Sequence, residues 1–280
     1  MIPGEVATTL RYGPPASELG ASVAWQAGVV LATAPGTGTL TLGDGTVPVD
    51  AVYVGWWGPH VVYATAEGVG YVDGEPLWLV PDATAWAAGE AGVVATDGRR
   101  LFLLDQHRVI EAPRITTLAM GATRILGLVC ADRCEGHTWT LEGEALGRFA
   151  DGGEGGGIGE WDGVAWVGDP QRETPDGAGM LSAETGEHIR GEPGDHLGGA
   201  IGGGYAVGTF NKWIVPARAR VVPLVAGETY AMEQGAEDQP LTLAGDARTL
   251  VIGAPFYPHG TQPTGALLTV THLTALDDEG

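Results

Sequence analysis

Short apolar runs recur along the whole chain, each bounded by glycine or turn residues and each followed closely by a second apolar run. The second runs begin at Gly28, His60, Gly92, Arg124, Gly163, Gly204 and Thr249. The first three steps (28→60→92→124) are therefore 32 residues each, and the next three are 39, 41 and 45. A repeat of this length marks a solenoid or a propeller, in which each unit buries its faces only by stacking on its neighbours. Inside a unit the alternation resolves into four short strands separated by tight turns. The first unit predicts strands over 21–26, 28–34, 37–42 and 46–50, and the second over 52–57, 60–66, 69–73 and 76–80. The third predicts 84–88, 92–96, 99–105 and 108–112, and the fourth 117–121, 125–130, 137–141 and 145–149. The fifth predicts 157–160, 164–168, 179–183 and 187–190, and the sixth 199–202, 205–209, 220–225 and 229–233. The seventh supplies 241–244, 249–253 and 266–272, with its outermost strand left open.

No window of a dozen residues holds a helical stripe, so the expected class is all-β: a seven-bladed β-propeller of four-stranded antiparallel blades. One domain spans the chain, with blades at about 19–50, 51–82, 83–115, 116–152, 153–194, 195–235 and 236–273 plus 5–12. Runs such as Val29-Val30-Leu31-Ala32 and Thr249-Leu250-Val251-Ile252 are apolar without alternation. They suit strands covered on both faces by adjacent blades. Gly43-Asp44-Gly45, Asp73-Gly74, Asp97-Gly98 and Glu142-Gly143 stand where hairpins must reverse, and Asp-Gly favours the type I′ turn. The segment 5–12 precedes the first inner strand, where every other unit has the preceding outer strand. It is expected to complete the last blade and remove an open edge, with 273–278 as the competing candidate.

Several units resemble the FG-GAP repeats of the integrin alpha-chain propeller. The carrying residues are Leu250-Val251-Ile252-Gly253-Ala254-Pro255 with Gly265-Ala266-Leu267-Leu268-Thr269-Val270. The pattern recurs in Val164-Ala165-Trp166-Val167-Gly168-Asp169-Pro170 with Gly177-Ala178-Gly179-Met180, and in Val30-Leu31-Ala32-Thr33-Ala34-Pro35. Leu19-Gly20-Ala21-Ser22-Val23-Ala24 matches the family's innermost strand. The match is good in the first, fifth and seventh units, fair in the sixth and weak in the second to fourth. The resemblance implies a seven-bladed propeller used mostly for extracellular or surface binding, often with calcium in an aspartate-rich loop between the first two strands. At those loops this chain has Gln26-Ala27, Trp161-Asp162, Gly202-Gly203 and Asp246-Ala247-Arg248, at most one carboxylate each. Calcium needs six to eight oxygens, so no metal or other cofactor is expected. The turns are expected to keep their shape by glycine and backbone bonding alone.

The chain has 280 residues, with Gly at 47, Pro at 18 and 44% hydrophobic residues, ample for packed β-structure with many turns. With 35 acidic residues against 14 basic, the net charge is −21. Such a field repels phosphate backbones and anionic membranes, so neither nucleic acid nor membrane insertion is expected. The start, Met-Ile-Pro-Gly-Glu, lacks the features of a secretory signal. Cys130 and Cys134 flank a predicted hairpin tip. A disulfide is the leading expectation, against free thiols or a metal shared with His137, and it favours an extracellular, periplasmic or surface location over the cytoplasm.

The residues that carry chemistry are scattered. The seven histidines sit in different units without a close pair, and no nucleophile elbow is present, so the chain is expected not to be an enzyme. The glycine stretches 152–159 and 198–204 lack a following helix and read as turns rather than phosphate cradles. Three long excursions, 170–177, 210–218 and 256–264, fall in adjacent units five to seven. They are expected to raise one rim bearing Trp213, Phe256, Tyr257 and His259 for a protein partner. A second candidate is a glycan platform made by Trp56, Trp57 and His60. A third is a hydrolase or lyase site at the channel mouth. Core or inter-blade packing is the competing role for the Trp residues.

Overall fold

In the computed structural model the described residues are 6–112, 114–174, 177–192, 196–208, 218–224, 230–233, 241–246, 248–256, 258–259 and 262–272. They form seven four-stranded sheets plus one two-stranded ribbon. The first strands of successive sheets are Val23–Gln26, Ala51–Trp57, Ala85–Gly89, Ile115–Met120, Ile158–Trp161, Ala200–Gly202 and Thr242–Gly245. Together they ring a central channel. In the first six sheets, strand order follows chain order from the inside out. The only helix among the described residues is the single 3-10 turn Pro35–Thr37. No helix among them is long and apolar enough to cross a membrane.

The ring closes as the sequence pattern predicts. In the seventh sheet the order from the inside is Thr242–Gly245, Thr249–Ala254, Ala266–His272 and finally the N-terminal strand Val6–Tyr12. The N-terminal strand runs antiparallel to Ala266–His272 with Leu10 opposite Leu268. The chain then crosses inward through a buried corner, where the fully buried Ser17 hydroxyl donates to Thr264 O and Gly13 N–H to Gly265 O. The competing segment, 273–278, lies outside the described residues.

The apolar core lies between blades rather than at the centre. Blades three and four share Val94, Leu101, Leu103, Ile115, Leu118, Ile125 and Trp139; blades one and two share Leu31, Leu40, Ala51 and Val54. Comparable clusters fill the two–three, five–six, six–seven and seven–one interfaces. A second strand such as Gly92–Thr96 is buried at every position because its two faces meet two different neighbours.

Where blades meet most closely, glycine is required by space. A Cβ at Gly253 would lie 2.2 Å from Gly20 O, and one at Gly168 1.9 Å from Gly198 O. Parallel bridges Leu19↔Gly265 and Gly179↔Leu197 flank these contacts. Blades seven–one and five–six thus use one device: a Leu-Gly entering a blade packs on a Gly in the second strand of the blade before it.

Two local expectations are corrected. Asp73-Gly74 has both residues at positive φ (48° and 92°), as a type I′ turn needs, but at Asp97-Gly98 and Glu142-Gly143 only the glycine does. Asp97 instead accepts the N–H groups of Arg99 and Arg100 on Oδ1 and pairs with the Arg100 guanidinium, so its own side chain makes the turn. In blade five the second strand does not stop at Gly168. It runs over Val164–Thr174 and pairs back along Gly177–Ala183, with an irregularity between Asp169 and Glu173, because Pro170 has no N–H to give the ladder.

Candidate functional site

A propeller presents two faces. One carries the turns between first and second strands and opens into the channel; the other carries the turns between second and third strands. On the second face, blade four ends in the hairpin of Arg124–Cys130 and Cys134–Thr140, whose last pair is Cys130 opposite Cys134. These two are disulfide-bonded, as the spacing led us to expect. Beside it, the blade-five ribbon continues to Thr174, about 15 Å past Asp169 at the usual rise per strand residue. His196 Nδ1 donates to Pro170 O at the foot of that ribbon. Blade seven adds the small ribbon of Pro258–His259 and Gln262–Pro263, with Phe256 at its base 40% exposed. Of the four rim residues proposed from sequence, Phe256 is on this face and the His259 backbone is in the ribbon. Trp213 and Tyr257 lie outside the described residues.

Trp56, Trp57 and His60 are not brought onto one platform. Neighbouring residues of a strand point to opposite faces. Trp56 packs with the blade one–two cluster and borders the channel, whereas Trp57 packs with the blade two–three cluster. The Trp57 ring centroid lies 5.9 Å from that of Trp78 and 6.2 Å from that of His60. His60 Nδ1 sits 2.6 Å from Asp73 Oδ2, and Asp73 Oδ1 accepts the Val61 N–H. The bond to His60 holds the Asp73 carboxyl below the usual aspartate range.

The channel is a cavity of about 460 Å³ bordered by all seven inner strands. Its walls are unequal. Blades one to three contribute Trp25, Gln26, Trp56 and Glu90, while blades six and seven contribute backbone at Gly202, Gly203 and Gly245. Glu160, in the same wall, is held by Arg124, whose Nε donates at 2.6 Å, and by the Ala122 N–H at 3.0 Å. The other edge of Arg124 clamps both oxygens of Glu184 at 2.6 and 2.7 Å. Arg124 in turn holds the Glu184 carboxyl below its ordinary range against the opposing effect of burial. Around the ring, Trp25 Nε1 donates to Asp246 Oδ2 at 2.9 Å, and Asp246 Oδ1 takes the N–H groups of Arg248 and Thr249. Burial pushes the Asp246 carboxyl up, but these bonds outweigh it and the net shift is downward. The expectation that every such turn stands on glycine and backbone alone is therefore corrected at Asp246. Its one carboxylate organises the loop through these three hydrogen bonds.

Sequence reasoning missed the Arg124–Glu160–Glu184 clamp and the pairing of Trp25 with Asp246. The partners are 36, 60 and 221 residues apart, and no local pattern links residues so distant.

In sequence the chain matches no protein-family model and no curated protein. In structure it is similar to a streptogramin B lyase at 12% identity, covering 94% of this chain and 98% of that one with a TM-score of 0.64. It is also similar to a chain of the mitotic checkpoint complex (10% identity, 96% and 91% covered, TM-score 0.61). BamB from Moraxella catarrhalis matches at 12% identity over 89% and 83% with a TM-score of 0.50. At these identities the likeness is one of fold, and the fold is a seven-bladed β-propeller.

Proposed function

We propose that this protein is a non-catalytic binding module of FG-GAP type, whose rim on the second-to-third-strand face takes a protein partner. The observation that carries this reading is the raised edge itself: the disulfide-pinned hairpin of blade four, the long ribbon of blade five and the ribbon of blade seven rise on one face. A hairpin already paired as strands in the free protein loses less entropy on binding than an unpaired loop, which is what an interaction surface needs. The FG-GAP reading is supported by the glycines of its motif, Gly168, Gly253 and Gly265, each of which meets the next blade's backbone. The non-catalytic reading is supported by the commitment of Glu160, Glu184 and Asp246 to structural bonds. The disulfide fits an extracellular or periplasmic setting.

The test is cross-linking of the full chain to its captured partner, compared with a variant whose 170–177 segment is replaced by a two-residue turn and which carries Phe256→Ala. Cross-links should concentrate on blades four to seven and vanish in the variant at an unchanged melting temperature. Undiminished capture by that variant rejects the rim.

A further inference from the structure

The opposite face, where the channel opens beside the turns between first and second strands, has its own chemistry. Three consecutive inner strands bring Trp25, Trp56 and Glu90 to this wall, and Glu160 stands further round. No Lys, Arg or His borders the cavity among the described residues. Arg124, which holds the lining residue Glu160, is matched by two carboxylates, so the Arg124–Glu160–Glu184 group keeps a net negative charge. Glu90 is exposed and forms no ion pair among the described residues.

We propose that this channel mouth binds a small organic cation of the quaternary-ammonium class. Its ammonium group would lie against the indoles of Trp25 and Trp56 with Glu90 as counter-charge. Indole faces attract ammonium groups through the ring quadrupole, and do so more strongly when the site excludes water. The net charge of −21 gathers cations at the same mouth and turns anions away. The site is independent of the protein-binding rim, which occupies the other face.

The experiment is titration of the full chain with choline, followed by tryptophan fluorescence and calorimetry at low ionic strength. The comparison ligands are 3,3-dimethylbutan-1-ol, its neutral isostere, and glucose. Choline should give a saturable signal. The neutral isostere and glucose should bind at least about tenfold more weakly, and Glu90→Gln should weaken choline by about tenfold. Glu90 is exposed, so its amide variant should fold like the parent, which keeps the comparison clean. The proposal is overturned if choline gives no saturable signal. It is equally overturned if either neutral ligand matches choline, or if Glu90→Gln leaves the affinity unchanged.

Discussion

Placing a single methyl group at Gly253 or Gly168 tests how the blades are joined. Neither position has a left-handed backbone, so alanine costs nothing in φ and its whole effect is steric. At Gly253 the new Cβ would lie 2.2 Å from Gly20 O, 2.4 Å from Thr242 Oγ1 and 2.8 Å from a Val23 methyl. Gly20 O is itself held in place by the Thr242 hydroxyl at 2.8 Å. At Gly168 the three nearest atoms all belong to the Gly198 backbone, within 2.7 Å. Backbone cannot rotate aside as a long side chain can, so two blades must separate by more than an ångström. Overpacking of this kind costs about 1–3 kcal/mol, and loss of the Thr242 bond adds about 1 kcal/mol at the first site. For a protein of this size each kcal/mol lowers the melting temperature by about 2–4 °C, so about 2–4 kcal/mol at Gly253 corresponds to roughly 4–16 °C. Gly45 is the control: a Cβ there meets only Leu42 O at 3.5 Å, an ordinary contact. Calorimetric melts of Gly253→Ala, Gly168→Ala and Gly45→Ala side by side decide the matter. If all three melt within about 2 °C of the parent, the blades do not touch where the motif glycines stand.

Arg124→Met should cost about 3 kcal/mol at neutral pH, because it leaves Glu160 and Glu184 without their counter-charge. The Glu184 carboxyl is held low by Arg124, so the stability it confers is present above the ordinary glutamate range and fades as pH falls below about 4.5. The gap in melting temperature between parent and variant should therefore narrow from pH 5 to pH 3, and a constant gap would refute the clamp. Reduction of Cys130–Cys134 opens a loop of only a few residues, so the fold should survive with a loss of about 2 kcal/mol at most, measured by melts with and without reductant. Global unfolding on reduction would contradict this. Removing residues 1–12 bares the edge of Ala266–His272 and should produce concentration-dependent association in size-exclusion chromatography, whereas a clean, stable monomer would mean that the N-terminal strand does not seal the ring.

Much of the architecture was legible because propeller geometry is written locally. The inner-blade runs at Gly92–Thr96, His60–Thr65 and Thr249–Ala254 are apolar because two neighbours cover them, and the turn residues between them recur at blade spacing. Even ring closure was readable, since 5–12 occupied the one place in the repeat where an outer strand was missing. The single disulfide was readable from two cysteines astride one hairpin tip.

The candidate sites were less visible. Trp56 and Trp57 look like one aromatic patch along the chain, yet the pleat sends one toward the channel and the other into the blade two–three cluster. Only the closed ring brings Trp25 to Asp246 across 221 residues, sets Glu160 between Arg124 and Ala122, and collects Trp25, Trp56 and Glu90 around one cavity. Periodicity dictates which residues become strands and which face they bury, because those choices depend on neighbours a few positions away. The meetings of side chains from different blades depend on the angle at which seven sheets pack and close, and that angle belongs to the assembled ring rather than to any stretch of its chain.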